Sequence, residues 1–331
     1  MTAYTERQVG SRRHDFFQSH AHVLSITLFF VLCCVVFASL SSVFLEPGNM
    51  LNILRQAAPN LIIGIAMTLV ITTGGIDLSV GSIVALVNSM AAVLLKSGFD
   101  WPITVLLMLA FGALIGLAQG FFVAYQRIPA FIVTLAGLSA LRGCALVLTG
   151  GFSILIPPSL FLVIGRGTMF GVPYPALLGL MVAIVGYIVL NTTVYGRRVV
   201  AVGANTEAAR RVGMPAQATI ASVYVLSGIA SALAALVIAA RLGSGSSNAA
   251  VGVELDVIAA VVLGGTSLSG GRGTIIGTVL GTLTIAVISN GLILAHINPF
   301  FTQIVTGAII LIAIWLNTRI FDRLGTTKRR S

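Results

Sequence analysis

Gly74-Gly75-Ile76-Asp77-Leu78-Ser79-Val80-Gly81 interrupts two long apolar runs, 61–73 before it and 83–95 after it. A charge at membrane depth costs several kcal/mol unless water, backbone or a partner satisfies it. The glycines around Asp77 permit unusual torsions and close approach of other segments. Interrupted helices of this kind line the working paths of membrane transporters. Asp77 fits two compatible readings, a cap on the helix that starts near Leu78 or a group bordering a path.

Composition decides the setting of that break. Hydrophobic residues are 57% of 331 and charged residues 8%, against about 25% charged in a soluble domain. The mean hydropathy is +1.05. This is the composition of an integral membrane protein. The net charge of +10 is not spread as a nucleic-acid footprint. It gathers at Arg7, Arg12 and Arg13, at Arg197, Arg198, Arg210 and Arg211, and at Arg319, Arg323, Lys328, Arg329 and Arg330. The positive-inside rule places all three clusters in the cytoplasm.

A span needs about 20 apolar residues, fewer where a helix is broken or buried. The segments that qualify are 23–45, 57–73, 80–95, 102–125, 130–149, 175–195, 217–239, 254–264, 273–294 and 300–317. The expected fold is therefore all-α: a polytopic transmembrane bundle of about ten helices, some short or broken, both termini cytoplasmic. Six crossings before the arginines at 197–211 put that loop inside, as its charge requires. The organisation read from this is a tail at 1–22, one transmembrane domain at 23–317 with a cytoplasmic loop at 196–216, and a basic tail at 318–331. The first apolar run is longer than a leader's apolar core and reads as a transmembrane helix.

Catalytic chemistry finds no support. There is no phosphate-binding Gly-rich loop ending in lysine, the only lysines being Lys96 and Lys328. Cys33, Cys34 and Cys144 lack metal-ligand spacing, as do the histidines. No cofactor is expected, and any ATP use belongs to another polypeptide. Other polar residues stand out against the apolar background. Arg142 lies inside an apolar run, where it either reaches an interface or pairs internally, Asp77 being a candidate partner. Glu254 and Asp256 open a helix, where the dipole favours them, or contact the transported solute. Asn88, Gln119, Asn290 and Asn298 either line the path or bond helix to helix. Gly112/Gly116/Gly120 and Gly273/Gly277/Gly281 form stripes suited to close helix packing. The 150–174 loop, with Pro157, Pro158, Arg166 and Pro173 and with Pro175 just beyond it, falls outside, as a connector or a partner's contact.

In the cytoplasmic loop, Gly196-Arg197-Arg198 is followed by Gly203-Ala204-Asn205-Thr206-Glu207-Ala208-Ala209-Arg210-Arg211-Val212-Gly213. Asn205 or Thr206 caps a short helix, Glu207 sits in its favourable first turn, and Gly213 and Pro215 end it. Such a helix has no core of its own. The small apolar positions Ala208, Ala209 and Val212 suit a shallow groove on a protein better than insertion in lipid.

These segments, with Glu254-Leu255-Asp256 and the run Gly264-Gly265-Thr266-Ser267-Leu268-Ser269-Gly270-Gly271-Arg272-Gly273, resemble the sugar branch of the branched-chain amino acid and sugar permease family, subunits of bacterial ABC importers. The likeness is of the ribose permease type and runs from about residue 45 to 317. Departures are Val253 where the family commonly has tyrosine, Ala204 where it commonly has glycine, and no proline in 244–250. The resemblance implies a multi-pass protein of the bacterial inner membrane with three kinds of partner: an ABC ATP-binding subunit, a periplasmic sugar-binding protein and a second permease subunit, identical or related. It assigns Gly203, Ala204, Asn205, Glu207, Ala208, Ala209, Arg210, Arg211 and Gly213 to coupling with the ATPase. It assigns Gly74, Gly75, Asp77, Ser79, Gly81, Arg142, Glu254, Asp256, Gly264, Gly265, Gly270 and Gly271 to the path or its gating. The rival class is a self-contained ion-coupled secondary transporter, for which only Asp77 and Arg142 offer ionisable groups at depth.

Overall fold

A computed structural model describes residues 23–298 and, beyond them, residues 301, 304, 305, 307, 308 and 311. The tails at 1–22 and 318–331 lie outside the described residues, as does most of the segment expected at 300–317. The chain is mostly helical. Among the described residues seven helices are long and apolar enough to cross a membrane: α1 (Val23–Leu40), α2 (Pro47–Thr72), α4 (Trp101–Ala124), α5 (Ala130–Thr149), α7 (Tyr174–Thr192), α10 (Ala216–Leu242) and α12 (Ile275–Leu294). Two shorter apolar helices, α3 (Val80–Lys96) and α11 (Val253–Leu263), match the expected segments at 80–95 and 254–264.

At about 1.5 Å per residue, the 11 residues of α11 span roughly 16 Å, about half of a hydrocarbon core. Helix α2 starts ten residues before its sequence-based boundary of 57, because Asn49, Asn52, Arg55 and Gln56 break the apolar pattern but not the helix. Pro47 sits in its first turn, where a missing N–H is harmless, and Pro59 lies inside it.

Helices α2 and α10 form the centre, each with 78% of its apolar window buried, whereas α1 and α5 at 11% are peripheral. The 112/116/120 stripe acts as expected, whereas of 273/277/281 only the last two lie on α12, Gly273 preceding it and facing Thr72 of α2. A Cβ on Gly112 or Gly120 would lie 2.5 or 2.6 Å from a carbonyl oxygen of α10, and one on Gly116 would collide with the Tyr224 carbonyl. Gly277 and Gly281 bring α12 equally close to Gly264 and Ala260. Where backbones touch, no side chain can stand between them, and dispersion contacts accumulate.

Non-helical structure gathers at the two ends. At one, the 150–173 connection carries β1 (Ile154–Leu155), α6 (Val163–Arg166), β2 (Thr168–Met169) and β3 (Val172–Pro173). There β1 pairs antiparallel with β4 (Ser244–Gly245), which follows α10. At the other end lie α8 (Val194–Ala204), α9 (Thr206–Arg211) and the turn joining α11 to α12. Helix α8 was not anticipated from sequence. Its Thr193 cap accepts from the Gly196 N–H, and Gly196 lets it fold back against the Leu190 carbonyl.

Candidate functional site

The motifs that carry the family resemblance are far apart in sequence but meet in space. The Gly271 N–H donates to the Thr72 carbonyl at 2.9 Å, tying the α11–α12 turn to the last turn of α2. Gly203, near the end of α8, lies on that same carbonyl so closely that a Cβ would collide with it, and the Gly271 nitrogen would be 2.7 Å away. A Cβ on Gly270 would meet the Gly203 carbonyl at 2.7 Å and the Gly74 nitrogen at 3.0 Å. Gly74, Gly265, Gly270 and Gly271 all have φ between 75° and 92°, a region where L side chains are strained. Three chain segments thus join backbone to backbone.

Asp77 lies above this junction and is wholly buried. Its Oδ1 accepts from the Ser79 N–H at 2.9 Å and from Ser79 Oγ at 2.6 Å. Its Oδ2 accepts from Ser227 Oγ of α10 at 2.7 Å. Gln119 of α4 donates to Ser79 Oγ at 2.7 Å, and Thr134 of α5 to the Ile76 carbonyl at 3.2 Å. The unwound 73–79 stretch is therefore held by side chains of three helices, as non-helical backbone at membrane depth requires. Gly75 leaves room for the Tyr224 hydroxyl, which a Cβ would approach to 2.5 Å.

A second unwound stretch, 246–252, runs beside α3 and leads into α11. Ser246 N–H donates to Asn88 Oδ1 at 2.6 Å, and Thr149 Oγ1 to Ser247 Oγ at 3.1 Å. Arg142 Nη1 donates to the carbonyls of Ser247 at 2.7 Å and Ala249 at 2.9 Å. The pairing of Arg142 with Asp77 considered from sequence is therefore wrong. Both were isolated charges in apolar sequence, but serines hold one and backbone carbonyls hold the other. Ala250 takes a positive φ of 56°, and Gly81 lies so close to its carbonyl and to Glu254 Oε2 that a Cβ would not fit. Glu254 and Asp256 both stand in the first turn of α11, and Glu254 Oε2 is buried without a hydrogen bond. Asn248 and Val251 are exposed. Asn88, Gln119 and Asn290 all bond between segments, Asn290 exchanging paired 3.0 Å bonds with Asn49.

The outward-facing helix α9 is capped by Asn205, whose Oδ1 accepts from the Ala208 N–H at 2.9 Å. Glu207 pairs with Arg210 at 3.6 Å and Arg211 at 3.8 Å, all three exposed, and Gly213 follows at φ 80°. Ala208 and Val212 are exposed as the sequence suggested, but Ala209 is not available to a partner. It packs against Val202 and Ala216 of the same chain. Ala204 closes α8 against Gly271.

Residues 49–314 match the family described as branched-chain amino acid transport system / permease component. The chain belongs to that permease family. It is 39% identical over 317 residues to the ribose import permease protein RbsC of Bacillus subtilis, covering 95% of this chain and 98% of that one. It is 39% identical over 315 residues to the probable ABC transporter permease protein YphD of Escherichia coli, 95% of each being covered. The xylose transport system permease protein XylH of Escherichia coli is 33% identical over 373 residues, covering 94% of this chain and 92% of that one. No solved structure matches the chain. The permease is a transport component and not an enzyme.

The permease also carries a charged group of which the sequence reading named only Arg166. Arg55 of α2 and Arg241 of α10 lie close enough for their like charges to interact. Arg166 donates through Nε to the Arg241 carbonyl at 3.0 Å. Arg55 Nε and Arg241 Nη1 are buried without partners, and among the described residues none of the three meets a carboxylate. Their signal in the sequence is slight, since each is a lone charge at the edge of an apolar run.

Proposed function

We propose that this chain is the membrane-spanning permease subunit of an ATP-driven importer in the bacterial inner membrane. It forms part of the path for a monosaccharide, a ribose-like pentose or a related sugar, handed over by a periplasmic binding protein. ATP is hydrolysed on a separate ABC subunit. The observation that carries this reading is the face built from 246–252, Arg142 and Glu254. Irregular backbone with polar side chains at membrane depth is not left against lipid; it is covered by protein or lines a wet cavity. A second permease subunit, identical or related, set against this face would enclose the path between the two copies.

The seven long helices, α3, α11 with its unwound lead, and 300–317 make ten crossings with both termini cytoplasmic. A single permease domain at 23–317 would then stand between two tails. Arg197, Arg198, Arg210 and Arg211 at the α8–α9 end support a cytoplasmic position for that end. Helix α9 would seat on the ATPase, and the junction at Gly203 would pass its movement directly to 73–79 and through α11 to 246–252. An ion-coupled mechanism is not supported, since Asp77 and Arg142 are both engaged within the bundle.

The test is reconstitution. Uptake of labelled sugar into proteoliposomes should require ATP, the ATPase subunit and the binding protein together. Uptake by this chain alone, driven by an ion gradient, would overturn the reading.

Two predictions concern the partners. The exposed ion pairs of Glu207 are worth less than about 1 kcal/mol to folding, so Glu207→Arg with Val212→Asp should leave membrane insertion intact. It should abolish co-purification of the ATPase; unchanged recovery would remove α9 from the coupling role. At the opposite end, the positive charge of Arg55, Arg166 and Arg241, which meets no carboxylate among the described residues, suits carboxylates of the binding protein. Arg166→Glu with Arg241→Glu should raise KM for binding-protein-dependent uptake at least about tenfold, with basal ATPase activity unchanged. Wild-type docking should weaken as ionic strength rises. Salt-insensitive docking would exclude this role.

A further inference from the structure

A cavity of about 140 Å³ lies between α2, α11 and α12, lined by Gln56, Asn60, Asp256, Thr282, Ser289 and Asn290, with Ile53 and Ile285 beside them. Asn290 is committed to Asn49, and the Thr282 hydroxyl donates to the Thr278 carbonyl at 2.8 Å, keeping its lone pairs. Among the described residues the side chains of Gln56, Asn60, Asp256 and Ser289 have no hydrogen-bond or ion-pair partner. Gln56 is exposed and Asn60, Asp256 and Ser289 are half-buried, so their polar atoms open into the cavity, and a carboxylate with free amides gathered inside a bundle marks a candidate site.

Their chemistry narrows the ligand. The two amides bring donors and acceptors, the serine one of each, and the carboxylate acceptors alone. A bare cation would use the oxygens and leave the amide N–H groups unmatched. An anion would meet Asp256, and an apolar chain would leave every group unpaired. Hydroxyl groups on a ring, each donor and acceptor at once, match the whole set. The flanking isoleucines suit the C–H face of such a ring.

We propose that this cavity binds a neutral polyhydroxylated solute, gripping one hydroxylated edge of a monosaccharide between α2, α11 and α12. The proposal rests on the sugar-permease reading above. At about 30 Å³ per water the space holds roughly four or five waters, which the sugar edge replaces; the ring is not enclosed. Helix α11 is shared between this cavity and the 246–252 face, through Asp256 on one and Glu254 on the other. Pro59, between Gln56 and Asn60, removes the helical bond to the Arg55 carbonyl and leaves α2 weakest beside the cavity.

The experiment uses the permease–ATPase complex in nanodiscs without binding protein. Thermal unfolding is followed against D-ribose, D-xylose, D-galactose and D-glucose, with sodium chloride and choline chloride as controls. Proteoliposome uptake of the same sugars is measured in parallel. At least one imported sugar should raise the unfolding temperature saturably. Asp256→Asn and Asn60→Leu should weaken its apparent Kd about tenfold, as loss of one charged or amide hydrogen bond implies. Ser289→Ala, the mildest change, covers the case in which those two variants fail to fold. The site is overturned if an imported sugar gives no shift, if the variants bind it as wild type does, or if sodium but not choline produces the shift. Absence of ATP-driven uptake for all four sugars would instead sink the sugar-permease reading, and the site with it.

Discussion

Replacing Gly203 with valine will reduce ATP-driven uptake to background while the protein still inserts in the membrane. The residue lies flat on the Thr72 carbonyl, which also accepts the Gly271 N–H. No side-chain end is there to rotate away, since the atoms that a Cβ would strike are backbone. Valine must therefore push α8 off α2, and α9 moves with it. The three-way contact joins α8, which carries the proposed ATPase-docking helix α9, to the 73–79 stretch and to the α11–α12 turn, so its loss disconnects docking from the path. ATPase recovery should persist, because the exposed face of α9 is untouched, but hydrolysis should no longer respond to loaded binding protein. Coupled uptake by Gly203→Val at more than about a third of the wild-type rate would show that coupling runs elsewhere. Gly203→Ala should lie between the two, since one methyl requires a smaller displacement.

Asp77→Ala will be the most destabilising single change near the break, and Asp77→Asn will be mild. The carboxylate accepts three hydrogen bonds from Ser79 and Ser227, with no water in reach of a wholly buried group. Alanine leaves those donors unpaired in the bundle interior, a loss of about 2–4 kcal/mol after relief of the buried charge. Asparagine can keep Oδ1 on Ser79 and turn its amide toward Ser227, whose hydroxyl reverses to accept. The charge would go while the contacts stay. Thermal unfolding in nanodiscs should show a drop of several degrees for alanine and little for asparagine. Uptake should follow the same order, since this enclosed group tethers segments and does not face the solute. Asparagine that folds as wild type does but carries no sugar would instead give the charge a direct part in transport.

Much of the bundle was legible because membrane helices declare themselves by length and hydropathy, and each of the seven long helices overlaps an expected segment. The boundaries erred where polar residues have tertiary partners. Asn49 belongs to α2 because Asn290 satisfies it, a fact invisible in a window around residue 49. Arg142 was recognised as anomalous, but its acceptors are carbonyls over a hundred residues away. Helix α8 was missed because the burial of its Val199 and Val202 and the close contacts of Gly196 and Gly203 depend on neighbouring segments.

The sequence alone determined that the chain lives in a membrane, where its helices break, and where a short polar helix stands outside the bundle. Each follows from local cost: charge and glycine are expensive or purposeless in hydrocarbon unless structure uses them. Only the tertiary structure decided that Gly74, Gly203 and Gly271 meet, that Asp77 and Arg142 are strangers, and that four unpartnered polar side chains share one cavity. Those facts depend on which distant backbones can approach, and glycine permits an approach without naming the partner.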